Sequence, residues 1–162
     1  DTPLGDHVTP EKYRWRLMFG DVYTQYAMRI TGSYMLHSVI FNQQDKYSLD
    51  ASTYNNLGVG RSHGCTRLKT GEMKWVYDNC PAGTTVIIYD SEINGPFEAP
   101  VLDATIPADQ NYDPTDPTVP EAVAAMEAAA AAQAQQTAQA INDAQAAAQA
   151  QQAVPMPSEP IN

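Results

Sequence analysis

Val22-Tyr23-Thr24-Gln25-Tyr26-Ala27-Met28-Arg29-Ile30 and, after Gly32, Tyr34-Met35-Leu36-His37-Ser38-Val39-Ile40-Phe41 carry the pattern that decides the fold. Both runs are dense in β-branched and aromatic residues, which suit a pleated, half-buried surface. The glycine between them punctuates two strands joined by a turn. A third run, residues 84–89 (TTVIIY), is entered through Pro81-Ala82-Gly83 and reads the same way. One helix lies between. Met73, Val76, Tyr77 and Cys80 recur at i, i+3, i+4 and i+7, Thr70 is placed to act as N-cap, and Pro81 ends the helix. A shorter helical turn is predicted over residues 53–57. The expectation is a mainly β domain over residues 1–90 with a helix beside the sheet.

Outward from that domain the composition changes. Residues 91–120 hold six of the twelve prolines together with Asp, Asn and Thr, and predict an extended linker. Residues 121–153 contain 17 Ala and 8 Gln, so helix propensity is high, and Pro120-Glu121 suits a helix start. The tail over residues 121–162 is thus expected to be a helical or disordered spacer. Sustained a/d heptads, which a coiled coil requires, are absent.

Charge follows the same division. All nine basic residues lie in residues 1–90 with nine acidic ones, and the other ten acids lie in residues 91–162, so the net charge of −10 belongs to the C-terminal part. No cationic footprint for nucleic acid exists, nor a basic patch for an anionic membrane surface. No apolar run is long enough to span a bilayer, and the start carries no signal segment. The first residue is Asp rather than Met, so a processed product or fragment is expected. Two cysteines do not make a disulfide framework.

Chemistry concentrates in Arg61-Ser62-His63-Gly64-Cys65-Thr66-Arg67-Leu68. A thiolate is the nucleophilic form of cysteine, and nearby cations favour it. Gly64 lets backbone amides approach a reacting carbonyl, and amides beside the nucleophile can stabilise an oxyanion. A base must lie within hydrogen-bond reach of the sulfur. His37, from the upstream strand, and His63 are the two candidates.

Residues 34–89 closely resemble the L,D-transpeptidase catalytic domain, the YkuD-type family of bacterial cell-wall enzymes. The resemblance rests on His37, a 24-residue gap, and Ser62-His63-Gly64-Cys65-Thr66-Arg67. Tyr54-Asn55-Asn56-Leu57-Gly58, Lys74-Trp75-Val76-Tyr77-Asp78 and Gly83-Thr84-Thr85-Val86-Ile87-Ile88 agree with it, and Thr2-Pro3-Leu4-Gly5 resembles the family's Thr-Pro-x-Gly turn. The family usually has several strands before that turn, so the resemblance implies an N-terminally incomplete domain. It also implies a large loop, residues 42–57, beside the active site.

By resemblance the fold is an L,D-transpeptidase-type β-sandwich and the reaction is acyl transfer. Cys65 matches the nucleophile and His37 the general base, with the Ser38 carbonyl orienting it. His63 and Gly64 frame the oxyanion site, and His63 is open to a structural or a proton-transfer role. Arg67, Tyr34 and Ser62 fall at substrate-binding positions, although Arg67 also suits a surface ion pair. Implied substrates are peptidoglycan stem peptides, donor and acceptor, outside the cytoplasm, with no cofactor or metal. Two other readings compete. Cys65, Cys80, His37 and His63 number four, as a zinc site requires, but lack its paired spacing, and Cys80 continues the apolar face of the helix. A non-catalytic wall-binding protein that keeps the fold is the second.

Overall fold

The computed structural model describes residues 2–59, 64–91 and 105–152. Ser62 and His63 lie outside the described residues, as do residues 92–104 of the expected linker and the end of the tail. The chain divides into two compact units, Asp1–Val123 and Ala124–Asn162.

In the first unit β1 is Gly5–Val8, β2 Lys12–Met18, β3 Val22–Thr31, β4 Tyr34–Ser38, β5 Ile40–Phe41, β6 Thr66–Leu68 and β7 Thr85–Ile88. Helices α1 and α2 are Ala51–Asn55 and Thr70–Asn79, and α3 is Pro120–Gln152. Strands β1 and β7 pair antiparallel in a small sheet. A larger sheet has the order β2-β3-β4-β6, with β5 also on β3. The class is mainly β, as the strand-rich runs predict.

Strands β1 and β2 lie outside the runs read from the sequence. In β2, Lys12, Arg14 and Arg16 alternate with Tyr13, Trp15 and Leu17, a period of two that suits a strand with one face toward the core. The single strand expected over residues 34–41 is two, interrupted at Val39. Strand β3 pairs with Leu36 through Met28 and with Ile40 through Thr24. Between those points the ladder opens. Side chains fill the gap: Gln25 N donates to Ser38 Oγ at 3.0 Å and Thr24 Oγ1 donates to the Ser38 carbonyl at 3.0 Å. Val39 N turns instead to Leu68 O, at 3.0 Å. Tyr26, in the middle of the opened stretch, has φ 49°, a left-handed conformation that an aromatic residue holds only when its surroundings enforce it.

Two apolar clusters flank the larger sheet. Val39, Phe41, Leu49 and Tyr54 form one, with Trp15 meeting Phe41 edge-on at 5.4 Å between centroids. Tyr26, Met28 and Met73 form the other, joined by Val76, Tyr77 and Cys80 from the apolar stripe of α2. Cys80 is therefore a packing residue. The expected turn at residues 53–57 is α1, two residues earlier, started by Asp50, whose Oδ1 accepts from Ser52 N at 3.0 Å.

Two expectations are corrected. Thr70 is the first helical residue, and Lys69 is the N-cap, its N–H donating to Glu72 Oε2 at 3.2 Å. The Thr70 hydroxyl is buried and finds no partner among the described residues. Its N–H is bonded by Asp113, 43 residues away. Secondly, the described part of the expected linker, residues 105–119, is packed on the domain. Asp113, Asp116 and Val119 are buried there, and Ile106 joins the Phe41 cluster. Buried hydrogen-bond partners, rather than composition, decide the place of these residues.

In the second unit α3 runs on through the Ala/Gln sequence with Met126 and Ile141 exposed. Gln139 Nε2 donates to Asp143 Oδ1 at 2.8 Å, one turn on. Among the described residues no helix is long and apolar enough to cross a membrane.

Candidate active site

Strands β4 and β6 run parallel, with Leu36 beside Thr66, His37 beside Arg67 and Ser38 beside Leu68. Side chains alternate across a sheet. His37 and Arg67 therefore share a face, and Cys65, one step before β6, shares it with them. The register brings base candidate and thiol together across 28 residues of chain. His37, Cys65, Arg67 and Tyr34 all line one cavity of about 690 Å³. Its opposite wall comes from the β2–β3 hairpin, where Leu17 and Phe19 stand exposed. Among the described residues, none of 42–57 lines this cavity. That segment faces the Phe41 cluster through Leu49 and Tyr54 instead, which corrects the expected loop beside the site.

His37 is 2% exposed, and its Nδ1 lies 2.6 Å from the Ser38 carbonyl. A carbonyl only accepts, so Nδ1 carries the proton and Nε2 keeps its lone pair. Burial pushes the His37 pKa down to about 4, helped by the charge of Arg67 and opposed by the Ser38 hydrogen bond. The ring is thus neutral at pH 7, a base rather than a standing imidazolium.

Cys65 is half-buried, with Sγ 4.0 Å from the Ser33 carbonyl. Gly64 has φ 109°, which a side chain would not tolerate. Its carbonyl accepts from Thr2 Oγ1 at 2.9 Å. The Thr-Pro-Leu-Gly turn and the cysteine motif, separate in sequence, are in contact.

Among the described residues three arginines line the cavity: Arg16, Arg29 and Arg67. Arg29 is fixed by Glu11 at 3.3 Å, by Tyr13 Oη at 3.0 Å and by the Gly32 carbonyl. Arg16 lies over the Tyr13 ring, 4.8 Å from its centroid. The pocket is therefore locally cationic within an acidic chain, a setting suited to carboxylate-bearing ligands. Arg16 and Arg29, which line the cavity, and Thr24 and Gln25, which bond Ser38, are residues that motif reading passes over. The alternating charges of β2 are the signal that points to the first. Among the described residues no group of three or more His, Cys, Asp or Glu side chains is placed to hold a metal ion.

A family model, the L,D-transpeptidase catalytic domain, matches residues 1–88. "Putative L,D-transpeptidase YciB" of Bacillus subtilis is 34% identical over 93 residues, 54% of this chain and 46% of that protein. The chain thus spans about half the length of this curated relative. A solved structure, the fused Zn-dependent amidase/peptidase/peptidoglycan-binding domain-containing protein of Clostridium acetobutylicum, is 34% identical over 54% of this chain and 34% of its own, with a TM-score of 0.39.

Proposed function

We propose that this chain, which belongs to the YkuD family of L,D-transpeptidase catalytic domains, is a cysteine acyltransferase that forms 3→3 cross-links between peptidoglycan stems. The observation that carries the reading is the shared cavity: a neutral, buried His37 with Nδ1 held on a carbonyl, and Cys65 on the same face of the sheet.

In the proposed cycle His37 Nε2 takes the Cys65 proton and the sulfur attacks the carbonyl of the diamino acid at stem position three. In this reading the backbone amides at Gly64 and Cys65 stabilise the developing oxyanion, and the family resemblance assigns His63, which lies outside the described residues, to the same step. The terminal D-alanine leaves as its amine, taking the proton back from Nε2, and a thioester remains. An amine of a second stem then attacks the thioester carbonyl and gives its proton to His37, the C–S bond breaks, and Cys65 leaves as the thiol, taking that proton back from Nε2. Water as acceptor would give an L,D-carboxypeptidase product instead. Arg67, Tyr34 and Ser62 bind donor stem, and the cationic cavity wall suits its carboxylates. No cofactor enters this chemistry. The work site is extracytoplasmic, at the cell wall or in the periplasm.

The test is mass spectrometry of the protein mixed with a tetrapeptide stem. A stem-derived adduct on Cys65, absent in Cys65→Ser, with cross-linked dimer as product, supports the reading. A folded protein that binds wall material and forms neither adduct nor product is a non-catalytic member of the family.

A further inference from the structure

We propose that the tandem Asp-Pro-Thr segment, residues 113–118, is a positioning element of the active site, in which Asp116 acts through Gln25 and Ser38 to fix the ring of His37. The segment lies outside the family-matched residues 1–88. The proposal rests on the reading of His37 as the base.

The two triplets, Asp113-Pro114-Thr115 and Asp116-Pro117-Thr118, fold alike. Asp113 Oδ1 accepts from Thr115 N at 2.8 Å and Thr115 Oγ1 at 2.7 Å. Asp116 Oδ1 accepts from Thr118 N at 2.9 Å and Thr118 Oγ1 at 2.8 Å. Each carboxylate commits one oxygen to its own turn and sends the other into the domain. Asp113 Oδ2 takes the Thr70 N–H at 2.7 Å, and Asp116 Oδ2 takes Gln25 Nε2 at 3.0 Å. Both side chains are buried, at 0% and 1% exposure. A buried carboxylate is tolerated only when hydrogen-bonded, so the geometry of the strap is tightly specified. The domain carries a seat for it. Gly71 N donates to Thr115 Oγ1 at 3.0 Å, and a Cβ on Gly71 would stand 2.3 Å from the Thr115 carbonyl oxygen.

Gln25 transmits the constraint. It is fully buried, its Oε1 accepts from Arg14 at 2.7 Å, and its Nε2 donates to Asp116. A flipped amide would oppose donor to donor at Arg14 and acceptor to acceptor at Asp116, so one orientation is allowed. The backbone N–H of the same residue holds Ser38 Oγ, and neighbouring Thr24 holds the Ser38 carbonyl. That carbonyl accepts the His37 Nδ1 proton. All this occurs where the β3–β4 ladder is open and Tyr26 is left-handed. Strand β6 pairs with Ser38 on one side, at Leu68, but β3 does not pair with it on the other, and the side-chain network fixes that side instead.

The experiment uses the full chain carrying Asp116→Asn. The amide keeps an oxygen for Thr118 but sets an N–H against the Gln25 amide donor. Three quantities are read: the His37 side-chain ¹⁵N–¹H NMR pattern, the rate of Cys65 alkylation by iodoacetamide at pH 7, and the thermal midpoint. We expect the Nδ1–H tautomer signal to be lost or averaged and alkylation to slow by roughly tenfold, part of what a positioned base supplies. If the tautomer signal stays as in the parent while the midpoint falls, the strap is structural only and the proposal is overturned. If the tautomer changes while alkylation does not, the positioning stands and the reading of His37 as base fails. Should Asp116→Asn not fold, Thr118→Val removes a single bond to Asp116. It is expected to move the tautomer signal in the same direction by less, and an unmoved signal there overturns the proposal too.

Discussion

Thr2 Oγ1 donates to the Gly64 carbonyl at 2.9 Å, tying the first turn of the described chain to the residue that precedes the thiol. With φ 109° at Gly64, the peptide entering Cys65 has an orientation that neighbouring strand pairing does not impose. Thr2→Val keeps the shape and removes the donor. A partly buried hydrogen bond contributes roughly 1 kcal/mol. We expect a stability loss of that order and Cys65 alkylation slowed several-fold. Alkylation at the parent rate, in a protein destabilised by the expected amount, would show that the contact does not orient the thiol.

The cysteines separate cleanly. Cys65→Ser should abolish the stem adduct, because a hydroxyl is the weaker nucleophile toward the same base. Cys80→Ser should form it at close to the parent rate. Cys80 packs beside Met73 and Tyr77, so its hydroxyl replacement is expected to cost about 1 kcal/mol, read as a lower urea midpoint.

His37 gives stability a pH dependence with a definite sign. Its pKa is 6.5 in the unfolded chain and about 4 in the folded one. Between those values the unfolded chain binds the extra proton, so stability falls as pH drops through the window from 6.5 to 4. The loss attributable to this group totals on the order of 3 kcal/mol, and above pH 6.5 it contributes no slope. Urea midpoints of parent and His37→Gln from pH 7.5 to 3.5 isolate it. A difference between the two curves that stays constant across the window refutes the burial argument. In the parent the acid limb of Cys65 acylation should centre near pH 4 rather than 6.5.

Cutting the chain distinguishes strap from tail. Ending at residue 123 removes the second unit, and the thermal midpoint of the first should be unchanged. Ending at residue 104 removes Ile106 and Val119 from apolar contacts and leaves Thr70 N and Gln25 without their carboxylates. The expected loss is on the order of 5 kcal/mol. Equal midpoints for the two truncated proteins would mean that the strap is dispensable.

The strap also marks where sequence reading stops. Strands β3 and β4 and the apolar stripe of α2 are legible because their side chains repeat at the period of the element. His37 and Cys65 are legible as a motif. The break at Val39 is not, since it depends on Thr24 and Ser38 outcompeting the ladder from opposite strands. Thr70 has the residue type of an N-cap, yet Glu72 serves Lys69 and Asp113 serves Thr70 itself. Asp113 and Asp116 sit among prolines, so composition places them in solvent, whereas partners far along the chain bury them. One signal was present: the exact repetition of Asp-Pro-Thr, which a random linker does not need.

The parallel pairing of β4 with β6 has a practical side. No tight turn joins parallel strands, so the chain leaves the sheet after β5 and returns by a crossover. Its first bend, residues 42–45, is exposed and closed on itself by Asn42 N to Ser48 O at 2.8 Å. Register on either side is set by the strands and by the Phe41–Leu49 bridge. Extra residues between Gln43 and Gln44 would therefore lengthen the bend without moving His37 or Arg67. That bend is a permissive point for a fluorophore or an affinity tag on a protein whose chemistry is to be watched undisturbed.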